Sequence, residues 1–316
     1  MLHRCHGPLV VASVVSGPTH GIPVANCRCS QGYERSNMRV ALTRSGGPRA
    51  RPYTFLGVLH LYHGDERGPQ MRIAALFDIH GNLPALEAVL NVLANEQVDD
   101  VVVGGDTAWG PQTGECLDRL AALPHTLHWV MGNCDRDVLH AAAGGVPASE
   151  MAQFTAEQLS DRHFDLLRQS QRTVTLLTSD SEPLLFCHGS PRADTDVITR
   201  ISPTSRVLPM LAGTNGIVIG GHTHQQFDRT FDGRRFLNGG SVGLPYEGKV
   251  NAYWLLIGDD FEMRHTPYDL DPAIDALRAT GFPSFDDIFG DSLMAPASPE
   301  EATHALEEQA AGGATD

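Results

Sequence analysis

Apolar residues along this chain first settle into a sustained pattern at Met71. Met71-Arg72-Ile73-Ala74-Ala75-Leu76-Phe77 reads as the start of a buried strand over Ile73–Phe77. Leu83–Asn95 follows with Leu86, Val89, Leu90 and Leu93 on one helical face and Pro84 in the first turn. Val98–Val103 is a β-branched run closed by Gly104-Gly105, Gly114–Leu123 is a second helix, and Thr126–Met131 is a third strand. Strand and helix alternating at this spacing predict a parallel sheet with crossover helices.

The second half is richer in strands. Thr155–Gln169 reads as a helix, a cap or packing arm. Strands are expected at Thr173–Leu177, Leu184–Cys187, Gly216–Ile219, Gln226–Thr230, Arg235–Leu237, Ala252–Ile257 and Phe261–His265. The Asp232-Gly233 pair marks a hairpin, and Asp271-Pro272 opens a last short helix with Ile274 and Leu277 inward. The predicted fold is α/β, two sheets flanked by helices, over residues 71–285.

Both ends differ from this pattern. In residues 1–70, Gly, Pro, Arg and Ser interrupt every apolar stretch, which predicts a disordered extension or a start placed too far upstream. Beyond Gly290 the chain is Ala, Gly, Ser, Pro and Glu with six acids and no Lys or Arg. Residues 286–316 are therefore expected to be a solvated, disordered acidic tail.

Charge narrows the chemistry. The formal charge is −15, and residues 1–70 hold 8 Arg against 3 acids, which leaves −20 for residues 71–316. So acidic a body makes a poor binder of nucleic-acid polymers, and an anionic substrate would need a local positive group such as bound metal. No apolar run reaches the roughly 18 residues of a membrane span. Leu9–Val15 is far shorter and has no clear small-x-small cleavage site behind it. The six cysteines show no paired C-x-x-C spacing. Reduced thiols and a cytoplasmic location are the expectation.

Five blocks lie at the ends of predicted strands: Asp78-Ile79-His80-Gly81-Asn82, Gly105-Asp106, Gly132-Asn133-Cys134-Asp135, His188-Gly189 and Gly221-His222-Thr223-His224. Strand C-termini are where open α/β sheets bind ligands. In extended chain, residues two apart project to one side, so Asp78 with His80, and His222 with His224, can each reach one cation. A set of carboxylates, imidazoles and one amide oxygen suits Mn, Fe, Zn, Ni or Co and argues against a structural Cys-rich zinc site. Seven ligands, Asp78, His80, Asp106, Asn133, His188, His222 and His224, exceed one ion. They suit two divalent ions sharing a carboxylate.

Taken in order, D-x-H-G-N, G-D, G-N-x-D, H-G and G-H-x-H resemble the calcineurin-like metallophosphoesterase superfamily, and within it the small bacterial and archaeal phosphodiesterases. The resemblance runs from Met71 to about Asp269 and includes Asn238-Gly239-Gly240-Ser241-Val242-Gly243, similar to that branch's N-P-G-S-V-G segment. It implies a four-layer αββα sandwich of two mixed sheets. It places Asp78, His80 and His224 on one metal, Asn133, His188 and His222 on the other, with Asp106 bridging. The implied reaction is in-line attack on a phosphate ester by a metal-bound hydroxide, with Mn the first choice of metal.

Many relatives carry His after the metal-binding Asn, where it stabilises or protonates the leaving group. Cys134 occupies that position here, and a thiol is a poorer acid than imidazolium and carries no charge. The expected catalytic set is then Asp106, Asn133, Asp135 and a doubtful Cys134, with Asp135 deprived of the His it would orient. Good leaving groups and diesters should be favoured. Asn82 and Arg192 are candidate substrate contacts, and Trp109 and Tyr246 could stack on a base. The expected partner is a small phosphoester, a nucleotide among the options, and an exposed sheet edge could support a homo-oligomer. Rival readings are a phosphomonoesterase or protein phosphatase, a dinucleoside-polyphosphate hydrolase, and a non-catalytic protein-binding scaffold on the same fold.

Overall fold

A computed structural model describes residues 71–178 and 182–312, together with two short segments nearer the N-terminus. Those segments, β1 (Ala12–Ser13) and β2 (Asn26–Cys27), pair antiparallel. They belong to a unit over Met1–Arg67, separate from the unit over Gly68–Asp316. The rest of residues 1–70, where disorder is expected, lies outside the described residues.

The larger unit holds two five-stranded sheets. The first runs β12-β11-β3-β4-β5, with β3 (Ile73–Leu76), β4 (Asp100–Val103) and β5 (Thr126–Trp129) parallel, and β11 (Ala252–Ile257) antiparallel to both β3 and β12 (Phe261–Thr266). The second runs β6-β7-β8-β10-β9: β6 (Thr173–Leu177), β7 (Pro183–Cys187), β8 (Ile217–Gly220), β10 (Arg234–Gly239) and β9 (Gln226–Phe231). Here β7, β8 and β10 are parallel and the two edge strands antiparallel.

Strand alternation sorts the core into layers. Ile73, Ala75 and Phe77 meet Phe186, Ile219 and Leu237 between the sheets. Ala74 and Leu76 face the other way, onto α1 (Leu83–Leu93) and α2 (Thr113–Ala121), through Leu86, Val89, Leu117 and Leu120. Both faces of β3 are thus covered, which is why it reads as an unbroken apolar run. The far face of the second sheet packs Val218, Phe227 and Phe236 against Val207 and Met210 of α6 (Thr204–Met210). Helix, sheet, sheet, helix is the αββα order.

Four features depart from the sequence reading. The segment read as one helix over Thr155–Gln169 is two, α4 (Glu150–Gln158) and α5 (Asp161–Leu167), each opened by a serine N-cap. Ser160 interrupts the run because it starts a new helix. Helices α3 (Asn133–Ala142) and α6 had no clear periodicity, and α3 begins on two candidate site residues. Over its described residues, up to Gly312, the expected tail is instead helical. After α7 (Leu270–Arg278) come a π-helical turn at Asp286–Gly290, α8 (Asp291–Met294) and α9 (Pro299–Gly312). Polar anchoring rather than apolar burial holds α9: Glu307 accepts from Thr199, Ser202 and Arg206, and Thr303 donates to Gln225.

Candidate metal centre

Five parallel strands deliver the candidate ligands from their C-terminal ends. Asp78 follows β3, Asp106 follows β4, Asn133 opens α3 after β5, His188 follows β7, and His222 and His224 follow β8. All are buried except Asn133 and His222, which are half-buried. The extended geometry expected for Asp78/His80 and His222/His224 is not how they converge. All four, with Asp106, have positive φ, between 47° and 66°. The left-handed backbone is sparsely populated by residues other than Gly and costs on the order of 1 kcal/mol each. Each loop turns sharply enough there to aim two side chains inward.

The neighbouring backbone fixes those turns. Asp78 N and His80 N donate to Gly105 O and Asp106 O, tying the first loop to the second. Ser241 Oγ and Gly243 N donate to Asp78 O, and Asn238 Nδ2 donates to Gly221 O and Thr223 Oγ1. The Asn238–Gly243 segment is therefore the brace of two ligand loops. Gly221 is required by close approach, since a Cβ there would fall 2.4 Å from Asp78 Oδ2.

The imidazoles are oriented from behind. Nδ1 of His80, His188 and His224 lies against the carbonyls of Trp109, Gly104 and Leu244 at 3.3, 3.1 and 2.6 Å. With Nδ1–H donating, Nε2 of each ring is the atom that faces the centre and would serve as a metal ligand once unprotonated. There, His224 Nε2 sits 3.3 Å from Asp78 Oδ1 and 3.2 Å from His80 Nε2. His188 Nε2 sits 3.3 Å from Asp106 Oδ2, and His80 Nε2 3.9 Å from the same oxygen. Ligand atoms of Asp78, His80 and His224 form one compact group, and those of Asp106, His188 and His222 a second. Asp106 also groups with His80 and Cys134, so it reaches both sides.

Two buried carboxylate or amide oxygens at this point find no hydrogen-bond partner, Asp78 Oδ1 and Asn133 Oδ1, while His188 Nε2 faces the Asp106 carboxylate. A buried orphan acceptor costs about 1–3 kcal/mol. Two of them beside the imidazoles fit a site made for cations. Electrostatics agree. Burial pushes the Asp106 carboxyl up, but the imidazoles of His188, His80 and His222 overcome it and hold it far below the carboxylate range. Burial lowers His188, yet the Asp106 and Asp78 carboxylates drive it up to about 10. Burial and the neighbouring His224 bring His80 down to about 4, and burial and His188 do the same to His222.

A family model, the calcineurin-like phosphoesterase superfamily domain, matches residues 71–259. The chain belongs to the calcineurin-like phosphoesterase superfamily. It is similar to Phosphodiesterase YfcE of Escherichia coli K12, 26% identical over 198 residues, which cover 60% of this chain and 89% of that protein. Its fold is shared by a metallophosphoesterase from Sphaerobacter thermophilus at TM-score 0.56 and 23% identity, covering 72% of this chain and 99% of that one. PH1004 from Pyrococcus horikoshii gives 0.58 and 17%, covering 71% and 98%. As a member of the superfamily, the protein is a phosphoric ester hydrolase with a divalent-metal site.

The other expected residues of this calcineurin-like phosphoesterase divide cleanly. Asn82, offered as a substrate contact, is fully buried: it caps α1 through Ala85 N and donates to Gly243 O and Tyr268 Oη. Its place is structural. Arg192 is exposed but its guanidinium is paired with Asp196, Nε to Oδ2 at 2.9 Å. Asp135 has not lost its partner; it accepts the backbone N–H groups of Asp106, Ala108 and Gly132. Burial and the Asp106 charge raise its carboxyl to about 7. Cys134 is half-buried beside Asp106, and burial first, then that carboxylate, keeps its thiol protonated. Trp109 packs edge-on to His80 and Tyr246 stacks on His224, so neither is a free platform for a base.

Sequence reasoning missed the brace at Asn238 and Ser241, although it had noted the segment, and missed the carbonyl partners altogether. A surface cavity of about 720 Å³ lies away from this cluster, at the opposite ends of the strands around Glu182, Arg235 and Phe261.

Proposed function

We propose that this phosphoesterase is a two-metal phosphodiesterase acting on a small phosphoester, a nucleotide among the candidates. The observation that supports it is the convergence of two orphaned buried oxygens, Asp78 Oδ1 and Asn133 Oδ1, with three imidazoles whose Nδ1 atoms are tied back to carbonyls. Asp78, His80 and His224 would hold one divalent ion, and Asn133, His188 and His222 the other, with Asp106 shared. Mn is the first choice, with Fe, Zn, Ni and Co compatible with the same ligands. When bound, such a pair supplies Lewis acidity and lowers the pKa of water for an in-line displacement at phosphorus.

The chain's own residues shape what can leave. A protonated, uncharged thiol at Cys134 offers the departing oxygen far less than imidazolium would. Esters with good leaving groups are therefore the better substrates, and diesters are preferred over monoesters. This agrees with the E. coli relative YfcE being a phosphodiesterase. Free thiols at Cys116, Cys134 and Cys187 are consistent with a cytoplasmic enzyme.

The test is hydrolysis of bis-p-nitrophenyl phosphate beside p-nitrophenyl phosphate, using protein stripped with chelator, reloaded with Mn, and compared with Asp106→Asn. Diester-preferring activity that returns with Mn and is lost in the variant is the expected result. No activity with Mn, Ni, Co, Zn or Fe would favour a binding role instead.

A further inference from the structure

Two ligands of the first group, Asp78 and His224, are tied to one buried hydroxyl. Ser241 Oγ donates to the Asp78 carbonyl at 2.7 Å and accepts the Leu244 N–H at 2.8 Å. Leu244 O in turn lies 2.6 Å from His224 Nδ1. A single oxygen thus stands between the backbone of Asp78 and the peptide stretch that orients His224. Ser241 is fully buried, and its hydroxyl is used both as donor and as acceptor.

The hydroxyl acts on a strained residue. Asp78 has a left-handed backbone, φ 51°, and its carbonyl takes two donors, Ser241 Oγ and Gly243 N. Such a conformation persists only where its surroundings over-determine it. With the backbone held there, Oδ2 accepts the His222 N–H at 2.9 Å, and Oδ1 is left 3.3 Å from His224 Nε2 without a hydrogen bond. A serine that merely closes a turn needs the local bond from Leu244 N alone. The bond to Asp78 spans 163 positions and joins the ligand loop to that turn.

The other ligands are held by different contacts. His80 Nδ1 lies against Trp109 O, His188 Nδ1 against Gly104 O, and the Asp106 carboxylate accepts Cys134 N. The link from Asp78 to the second group runs through the His222 backbone N–H, not its ring. We infer that Ser241 is a positioning residue for one of the two metal positions. Its hydroxyl couples Asp78 to His224, so the ion on Asp78, His80 and His224 depends on it. The ion on Asn133, His188 and His222 does not. This rests on the two-metal reading above.

The experiment is Mn binding to the chelator-stripped full chain, read by equilibrium dialysis with thermal melting alongside. Wild type is compared with Ser241→Ala and with Ser241→Thr, which keeps the hydroxyl. Thr266→Val is the control: it removes a buried hydrogen bond from Trp254 Nε1 on the edge strand β12, a bond no ligand shares. Wild type should take two ions. Ser241→Ala should hold one with wild-type affinity and bind the other more weakly by about tenfold or more, as loss of a contact behind a metal ligand does. Ser241→Thr and Thr266→Val should keep both affinities, although Thr266→Val melts lower. Two ions at wild-type affinity in Ser241→Ala would overturn the assignment and leave the two-metal reading intact. Equal weakening of both ions, or a loss in Ser241→Thr as large as in Ser241→Ala, would also overturn it, because packing rather than the hydroxyl would be the cause. A wild type that takes one ion would sink the two-metal reading, and this inference with it.

Discussion

The Asp135 carboxylate accepts the backbone N–H of Asp106 at 2.8 Å, while the Asp106 carboxylate accepts the N–H of Cys134 at 2.8 Å. Each acid holds the other's loop. The loop after β4 and the first turn of α3 are locked together, and Asp135 adds Ala108 N and Gly132 N to the same lock. Asp135, itself outside the proposed ligand set, thereby sets where Asp106, the proposed shared ligand, stands.

Asp135→Ala should expose that role. It leaves three buried donors without an acceptor, and a loss of about 3 kcal/mol is expected even if water recovers part of it. Thermal melting should fall and bound metal with it. Unchanged melting and full metal loading would show that the lock is dispensable.

The thiol at position 134 makes a different prediction. Cys134→His places an imidazole next to Asp106 and within reach of His80's side of the cluster. Turnover of esters with poor leaving groups should rise, while that of p-nitrophenyl diesters changes little. If no poor-leaving-group ester improves, the proposed deficit at Cys134 is wrong.

The C-terminal helix lies beyond the residues matched by the family model, yet it reaches the site. Pro299 O and Thr303 Oγ1 hold both ends of the buried Gln225 amide, the residue after His224. Truncation before Ala297 should reduce diester hydrolysis by about tenfold, as loss of a supporting contact behind a metal ligand does. The two sheets should remain folded by circular dichroism. Full activity of the truncated chain would show that Gln225 is held well enough by Tyr246 O alone.

Metal binding should release a proton. Without metal, the carboxylates keep His188 protonated up to about 10, above its unfolded value, so near pH 7 a cation must displace that proton. The sign follows: apparent affinity rises with pH below about 10 and weakens as pH falls. Calorimetric Mn titrations in buffers of different ionisation enthalpy should report proton release near pH 7. A heat independent of buffer would contradict the protonated state of His188.

Much of this was legible in the sequence for a physical reason. Ligands at the ends of buried strands leave a mark, because an apolar run followed at once by Asp or His is costly unless the polar group is used. The backbone conformation was not legible: Asp78, His80, Asp106, His222 and His224 take left-handed φ without being glycine. Nor were the carbonyls of Gly104, Trp109 and Leu244, since a backbone acceptor has no residue signature. Asn82 looked available because it shares a D-x-H-G-N block with the candidate ligands Asp78 and His80, but a helix starting at Leu83 needs a cap there. Helix α9 was hidden because its anchors lie far back in the chain. Glu307 bonds Thr199 and Arg206, and little apolar surface is buried.

The most direct test is a titration of chelator-stripped protein with Mn, following bound metal and bis-p-nitrophenyl phosphate hydrolysis together. The two ligand groups predict that activity climbs to a plateau at two ions per chain, and that Asp106→Asn fails to reach it. A plateau at one ion, or activity untouched by stripping, would contradict a two-metal centre.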